Sequence, residues 1–137
     1  MPQETPQTYP HSTLTKSILA AAIRVQDALG PGLLEKPYRH CLAHALRQTG
    51  HRVTMEASLA IAFDGLLVPD AYRLDLLVDD TVIVEAKAIE KLGPMHQAQL
   101  LTYLRLARKE VGLLLNFWAR PLKDGGLQRL VLTEQQR

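Results

Sequence analysis

Residues 82–88, VIVEAKA, set a glutamate and a lysine two positions apart inside a run that otherwise reads as a buried strand. An unpaired charge in such a place is costly, so the group either shifts its ionisation or finds a partner. Side chains alternate between the two faces of a strand. Val82, Val84 and Ala86 therefore share one face, and Ile83, Glu85 and Lys87 share the other. In the preceding run YRLDLLV, residues 72–78, the same alternation separates Leu74, Leu76 and Val78 from Asp75 and Leu77. A hairpin centred on Asp80 brings position 75 opposite position 85. Cross-strand partners point the same way, with β-carbons roughly 5 Å apart. Asp75 and Glu85 are expected to face each other, with Lys87 beside them.

Two opposed carboxylates on an apolar sheet repel unless a proton or a cation sits between them. Oxygen donors without sulfur suit Mg²⁺ or Mn²⁺, which are typically held by one or two carboxylates together with waters and substrate phosphate. A lysine beside such a cation can orient a water or stabilise charge growing on a phosphoryl oxygen. The plainer alternative is an acid salt-bridged to Lys87 at the end of a hairpin, and bare spacing leaves both open.

These residues need a scaffold, and the rest of the chain supplies its pattern. Residues 1–11 carry three prolines and no apolar periodicity, the mark of a mobile arm, which leaves 12–137 as one domain. Ser12 or Thr13 is placed to cap a helix whose Leu14, Ile18, Ala22, Val25 and Leu29 fall on one face. Gly30-Pro31-Gly32 stops it. A second helix is predicted from about Leu34 to Thr49, with Tyr38, Leu42, Ala45 and Leu46 on one side and Gly50 beyond its end. Pro37 falls in its first turn, where a missing amide costs little. Strands over 53–63, 66–78 and 81–88 follow, parted by Asp64-Gly65 and Asp79-Asp80. Pro94 opens a helix to about 109, and strands at 111–117 and 127–132 close the order α, α, β, β, β, α, β, β. Layer rules make this an α/β sandwich, a mixed sheet with helices packed on it.

The chain has 137 residues, 47% of them hydrophobic, enough for a single sizeable core. Its formal charge of +2, from 16 basic against 14 acidic residues, permits nucleic-acid binding without arguing for it. No apolar run approaches the roughly 18 to 20 residues that span a bilayer. Cys41 has no second cysteine to pair with, and no signal-peptide layout opens the chain, so the cytoplasm is the expected compartment.

GPGLLEKPY contains Gly32-x-x-Glu35-x-x-Tyr38. Together with YRLDLLV, VIVEAKA and the helix segment PMHQAQLLTYL, it resembles the GxxExxY protein family of the PD-(D/E)xK nuclease superfamily over residues 14–132. The resemblance implies a restriction-endonuclease-like αβββαβ core and hydrolysis of DNA by a water activated at Mg²⁺ or Mn²⁺. By position it implies that Asp75 and Glu85 are metal-binding acids, that Lys87 is the catalytic lysine, and that Glu35 is the acid many members contribute from an amino-terminal helix. Gln99 and Tyr103 match the Q-x-x-x-Y pattern of RecB-like members, whose helix helps hold substrate and site.

Two departures stand out. Leu74, not proline, precedes Asp75, whereas a literal Pro69-Asp70 lies upstream; Asp70 has the opposite strand parity and lies five residues from the mirror position. Ala86 replaces a larger apolar residue between Glu85 and Lys87, but it should face the core. His96, Gln99 and Tyr103 fall in one stripe of the last helix. With Tyr38 they are the candidates for substrate-binding or supporting roles. His40, His44 and His51 lack a zinc-like partner set, and Trp118 reads as a core-covering side chain. A catalytically inactive module that binds nucleic acid or a partner protein is the alternative to the nuclease, and the near-neutral charge favours it. Duplex cleavage by a domain this small often takes a homodimer, which the sequence leaves open.

Overall fold

The computed structural model describes residues 10–133; all but the last two residues of the expected amino-terminal arm lie outside it. Three helices and five strands follow in the predicted order: α1 (Ser12–Leu29), α2 (Glu35–Gln48), β1 (Val53–Phe63), β2 (Leu66–Val78), β3 (Val82–Lys87), α3 (Pro94–Ala107), β4 (Val111–Asn116) and β5 (Leu127–Val131). The strands form one sheet in sequential order. β3 and β4 run parallel and all other neighbours are antiparallel. α3 makes the crossover that a parallel pair requires.

Helices cover both faces. Ile18, Ala22 and Val25 of α1 and Tyr38, Leu42 and Leu46 of α2 pack with Val82, Val84 and Ala86 on one face. Leu100, Tyr103 and Leu104 of α3 pack with Ile83 and Leu114 on the other. The faces of β3 are those its alternation predicts, and burial on both sides explains why Val82, Ile83 and Val84 are apolar in succession. α3 lies so close to β4 that a β-carbon at Gly112 would fall 2.8 Å from Leu100 Cδ1. No helix among the described residues is long and apolar enough to cross a membrane.

The expected cap at Ser12 or Thr13 does not form. Ser12 is already helical, His11 precedes it in left-handed backbone with φ 56°, and the Thr15 hydroxyl donates to the His11 carbonyl at 3.0 Å. At the other end Gly30, with φ 71°, donates its N–H to the Gln26 carbonyl at 2.8 Å. A residue with a β-carbon takes that φ only with strain.

Pairing of Leu76 with Val84, Leu77 with Ile83 and Val78 with Val82 centres the β2–β3 hairpin on Asp80, as the mirror argument requires. β2 departs from simple alternation just beyond. Leu76 and Val78 face α1 and α2, but Leu74 and Tyr72 join the α3 cluster, which corrects the expectation that Leu74 shares a face with Leu76. β1 turns over at the same level: Val53 and Met55 pack toward α1 and α2, whereas Ala57 and Leu59 pack toward α3. Between them Glu56 has φ 55°, and a left-handed residue inside a strand rotates the succeeding residues onto the other face. Met55 pairs with Leu76 and Ala57 with Leu74, so the two strands turn over together, at the level of Asp75.

Candidate active site

The regular ladder between β2 and β3 stops at Leu76 and Val84, and side chains take over. The Asp75 N–H donates to Glu85 Oε2 at 2.8 Å, and the Ala86 N–H donates to Asp75 Oδ2 at 2.8 Å. Each carboxylate thus binds the backbone of the opposite strand, which holds the two acids side by side and leaves one further oxygen on each. Glu85 is buried to 3% exposure. Burial, followed by the neighbouring Asp75, pushes its carboxyl up to about 8. Asp75 is also raised, chiefly by burial; the Ala86 N–H and the positive charges of Arg39 and Lys87 oppose the rise.

Lys87 Nζ donates to Gln99 Oε1 of α3 at 3.3 Å, so the last residue of β3 is tied to the helix across the sheet. Lys87 is paired in the sheet with Asn116 of β4, which is 1% exposed. Asn116 Oδ1 accepts the N–H groups of Ile89 and Trp118 at 3.2 Å each, and its Nδ2 donates to the Ile89 carbonyl at 2.8 Å. These bonds fix the backbone that leaves Lys87. Tyr103 is buried against Tyr72, ring centroids 5.3 Å apart. Burial first, then the charges of Glu85 and Asp75, push its phenol up to about 12. Gln99, Thr102, Tyr103 and Tyr72 line a shallow cavity of about 270 Å³ with Met95 and Ala98.

Glu35 opens α2, and the loop before it is pinned from below. Tyr38 Oη donates to the Gly30 carbonyl at 2.5 Å and accepts the Leu33 N–H at 3.2 Å. Trp118 Nε1 donates to the Leu33 carbonyl at 2.8 Å. Glu35 reaches the carboxylate pair through its field, adding to the upward push on both acids. Among the described residues no three His, Cys, Asp or Glu side chains are gathered into a group that could hold a metal. The expected trio is therefore a pair with a third acid at longer range. Asp75 and Glu85 still offer the oxygen-only pair that a hard divalent cation accepts, with waters completing its shell.

Tyr38 and His96 take supporting places. Tyr38 has no exposed surface and stacks on Phe117 at 4.7 Å, and the loop hydrogen bonds use its only polar atom, which fits the supporting one of its two expected roles. His96 Nδ1 accepts the Gly93 N–H at 2.9 Å and so caps the start of α3. Asp70 is exposed and accepts the Ser58 hydroxyl, apart from the pair.

The sequence reading missed Arg39, Glu56 and Asn116. Arg39 Nη1 lies 3.8 Å from Asp75 Oδ1, and its Nη2 lies 3.7 Å from Glu56 Oε1. Its position four residues after Glu35 places both on one helix face, a signal available in the sequence. Asn116 is the β4 partner of Lys87, which no local pattern announces.

A family model described as the PD-(D/E)XK nuclease superfamily matches residues 12–130. No curated protein and no solved structure matches the chain.

Proposed function

The chain belongs to the PD-(D/E)XK nuclease superfamily, and from that premise we propose that it is a metal-dependent phosphodiesterase that hydrolyses DNA. The observation that carries this reading is the reciprocal bonding of Asp75 and Glu85 to each other's strand, with Lys87 held beside them. Glu35, Glu56, Asp75 and Glu85 against Arg39 and Lys87 leave two negative charges when all are ionised, which a single divalent cation balances. The Gly32, Glu35 and Tyr38 motif supports the GxxExxY branch of the superfamily.

Asp75 and Glu85 would hold Mg²⁺ or Mn²⁺, with Glu35 adding its field; such an ion supplies positive charge beside a phosphodiester and makes a bound water more acidic. Lys87, steadied by Gln99, is poised to orient that water or to stabilise charge growing on a phosphoryl oxygen. Tyr103 and Asn116 keep α3 and the strand exit in register with it. A buried site of this kind makes each charge count for more than it would in water. The lone Cys41 fits a reducing, cytoplasmic setting.

Cleavage of single- and double-stranded DNA and of RNA, with Mg²⁺ or Mn²⁺ and with Asp75→Asn as control, tests the reading. Metal-dependent cleavage by the wild type alone supports it; no cleavage of any nucleic acid defeats it. The small net charge of +2 favours the second reading, an inactive module that binds nucleic acid or a protein, and binding without cleavage would support that one.

A further inference from the structure

Arg39 stands beside the carboxylate pair but is poorly used there. Charge-assisted hydrogen bonds between arginine and carboxylate close to about 2.7–2.9 Å and are commonly bidentate. Arg39 instead keeps single contacts of 3.8 Å to Asp75 and 3.7 Å to Glu56. Its Nε is buried with no hydrogen-bond partner among the described residues. Buried polar groups are nearly always bonded, so an orphaned donor on a planar five-donor cation needs a reason. The side chain is 17% exposed, so it is not sealed from solvent. Glu56 meets it only because β1 takes a left-handed residue at that point, with φ 55°, a backbone state that is costly for a residue with a β-carbon.

An anion with two equivalent oxygens would satisfy such a cation better than either acid does. A phosphodiester offers two non-bridging oxygens whose spacing matches the guanidinium fork. Resting on the phosphodiesterase reading, we propose that Arg39 is a further substrate-contacting residue: its guanidinium waits between Asp75 and Glu56 and closes onto a non-bridging phosphate oxygen when nucleic acid enters. Glu56 is then a competitor for Arg39, holding the guanidinium in the free protein and releasing it to substrate. An Asp75 carboxylate shared with a divalent cation holds Arg39 less strongly, so metal and substrate act on the guanidinium in the same direction.

Two measurements on full-length protein separate this role from a structural one. Binding of a fluorescent oligonucleotide is followed by anisotropy in Ca²⁺, and Mn²⁺ binding by calorimetry without nucleic acid. Arg39→Gln is expected to weaken oligonucleotide binding about tenfold or more, the scale of one charged hydrogen bond, while Mn²⁺ binds as tightly as before or more tightly, because a repelling cation is gone. Arg39→Lys should retain part of the binding. Glu56→Gln removes the competitor and should tighten oligonucleotide binding several-fold; its side chain is 51% exposed, so this variant folds and decides the matter should Arg39→Gln fail to fold. A purely structural arginine would lose metal and oligonucleotide binding together, and that outcome overturns the proposal. If the wild type binds both probes while the Arg39 and Glu56 variants bind the oligonucleotide equally well, this inference alone falls. If the wild type binds neither, the phosphodiesterase reading falls and this inference with it.

Discussion

Asp75 and Glu85 are bound to each other through the main chain: the amide of Asp75 donates to the Glu85 carboxylate at 2.8 Å, and the Asp75 carboxylate accepts the amide of Ala86, next after Glu85, at 2.8 Å. Two acids that should repel are thereby locked in place by four groups of the same hairpin. Stability of the metal-free fold is therefore expected to respond both to the charge of these side chains and to their acceptor oxygens, and metal affinity to respond to the charge.

Asp75→Asn and Glu85→Gln keep an acceptor oxygen and remove a charge. Each is expected to abolish measurable Mg²⁺ or Mn²⁺ binding in calorimetry and to raise the melting temperature of the metal-free protein near neutral pH, since a pair that can be buried only at the cost of holding a proton or of repulsion is gone. Asp75→Ala strands the Ala86 amide and forfeits part of that gain, on the order of 1–3 kcal/mol for an unsatisfied buried donor. Unchanged metal affinity in both isosteric variants would remove the pair from the site.

Stability should depend on pH in the direction set by the raised carboxyls. Glu85 titrates near 4.5 when free and at about 8 in the fold, and Asp75 is raised as well. The folded protein keeps protons that the unfolded chain releases, so its stability falls as pH rises. The contribution is whole below about 4.5 and is lost as pH climbs through about 8. Chemical denaturation of metal-free protein across this range should show the decline. Saturating Mg²⁺ should flatten it, because metal replaces the proton, and a flat metal-free profile would contradict the burial of Glu85.

Lys87→Met keeps most of the apolar stem and removes the charge. It is expected to fold, to keep or strengthen metal binding, and to lose cleavage by about 10²-fold or more, the scale of one positioned electrostatic group. Wild-type cleavage rates would leave Lys87 with its structural bond to Gln99 alone.

Gln99 is exposed and its side chain meets Lys87 Nζ at 3.3 Å. Gln99→Ala should leave the melting temperature within a few degrees and slow cleavage less than Lys87→Met does. Combined with Lys87→Met it should add little, since contacting residues are non-additive. Full additivity in single-turnover rates would mean the two act separately.

Tyr38→Phe tests the loop that carries Glu35. Losing the bonds to the Gly30 carbonyl and the Leu33 amide should cost about 1–3 kcal/mol in urea denaturation and lower activity through displaced Glu35. Undiminished stability would mean that these two bonds do not hold the loop.

Much of this molecule could be read from the chain. Alternation in VIVEAKA named the two faces of β3, and equal spacing about Asp80 brought position 75 beside position 85, because a tight turn dictates register and the strand period dictates facing. The Q-x-x-x-Y spacing set Gln99 and Tyr103 on one side of α3, where helical periodicity requires them to be. Such rules are local, and they hold as far as the backbone stays regular. At Glu56 it does not. One left-handed residue in β1 accompanies the turning over of β1 and β2, which carries Leu74 to the α3 face and brings Glu56 against Arg39. The same limit hid Tyr38, whose hydroxyl is consumed by a loop five to eight residues upstream, and Asn116, which meets Ile89 across 27 residues. The order of elements and the facing of Glu85 along β3 were written in short-range periodicity. The charge set around Glu85 was decided only when helix α2 packed onto a sheet whose twist no local pattern encodes, because contacts between distant segments depend on how layers meet.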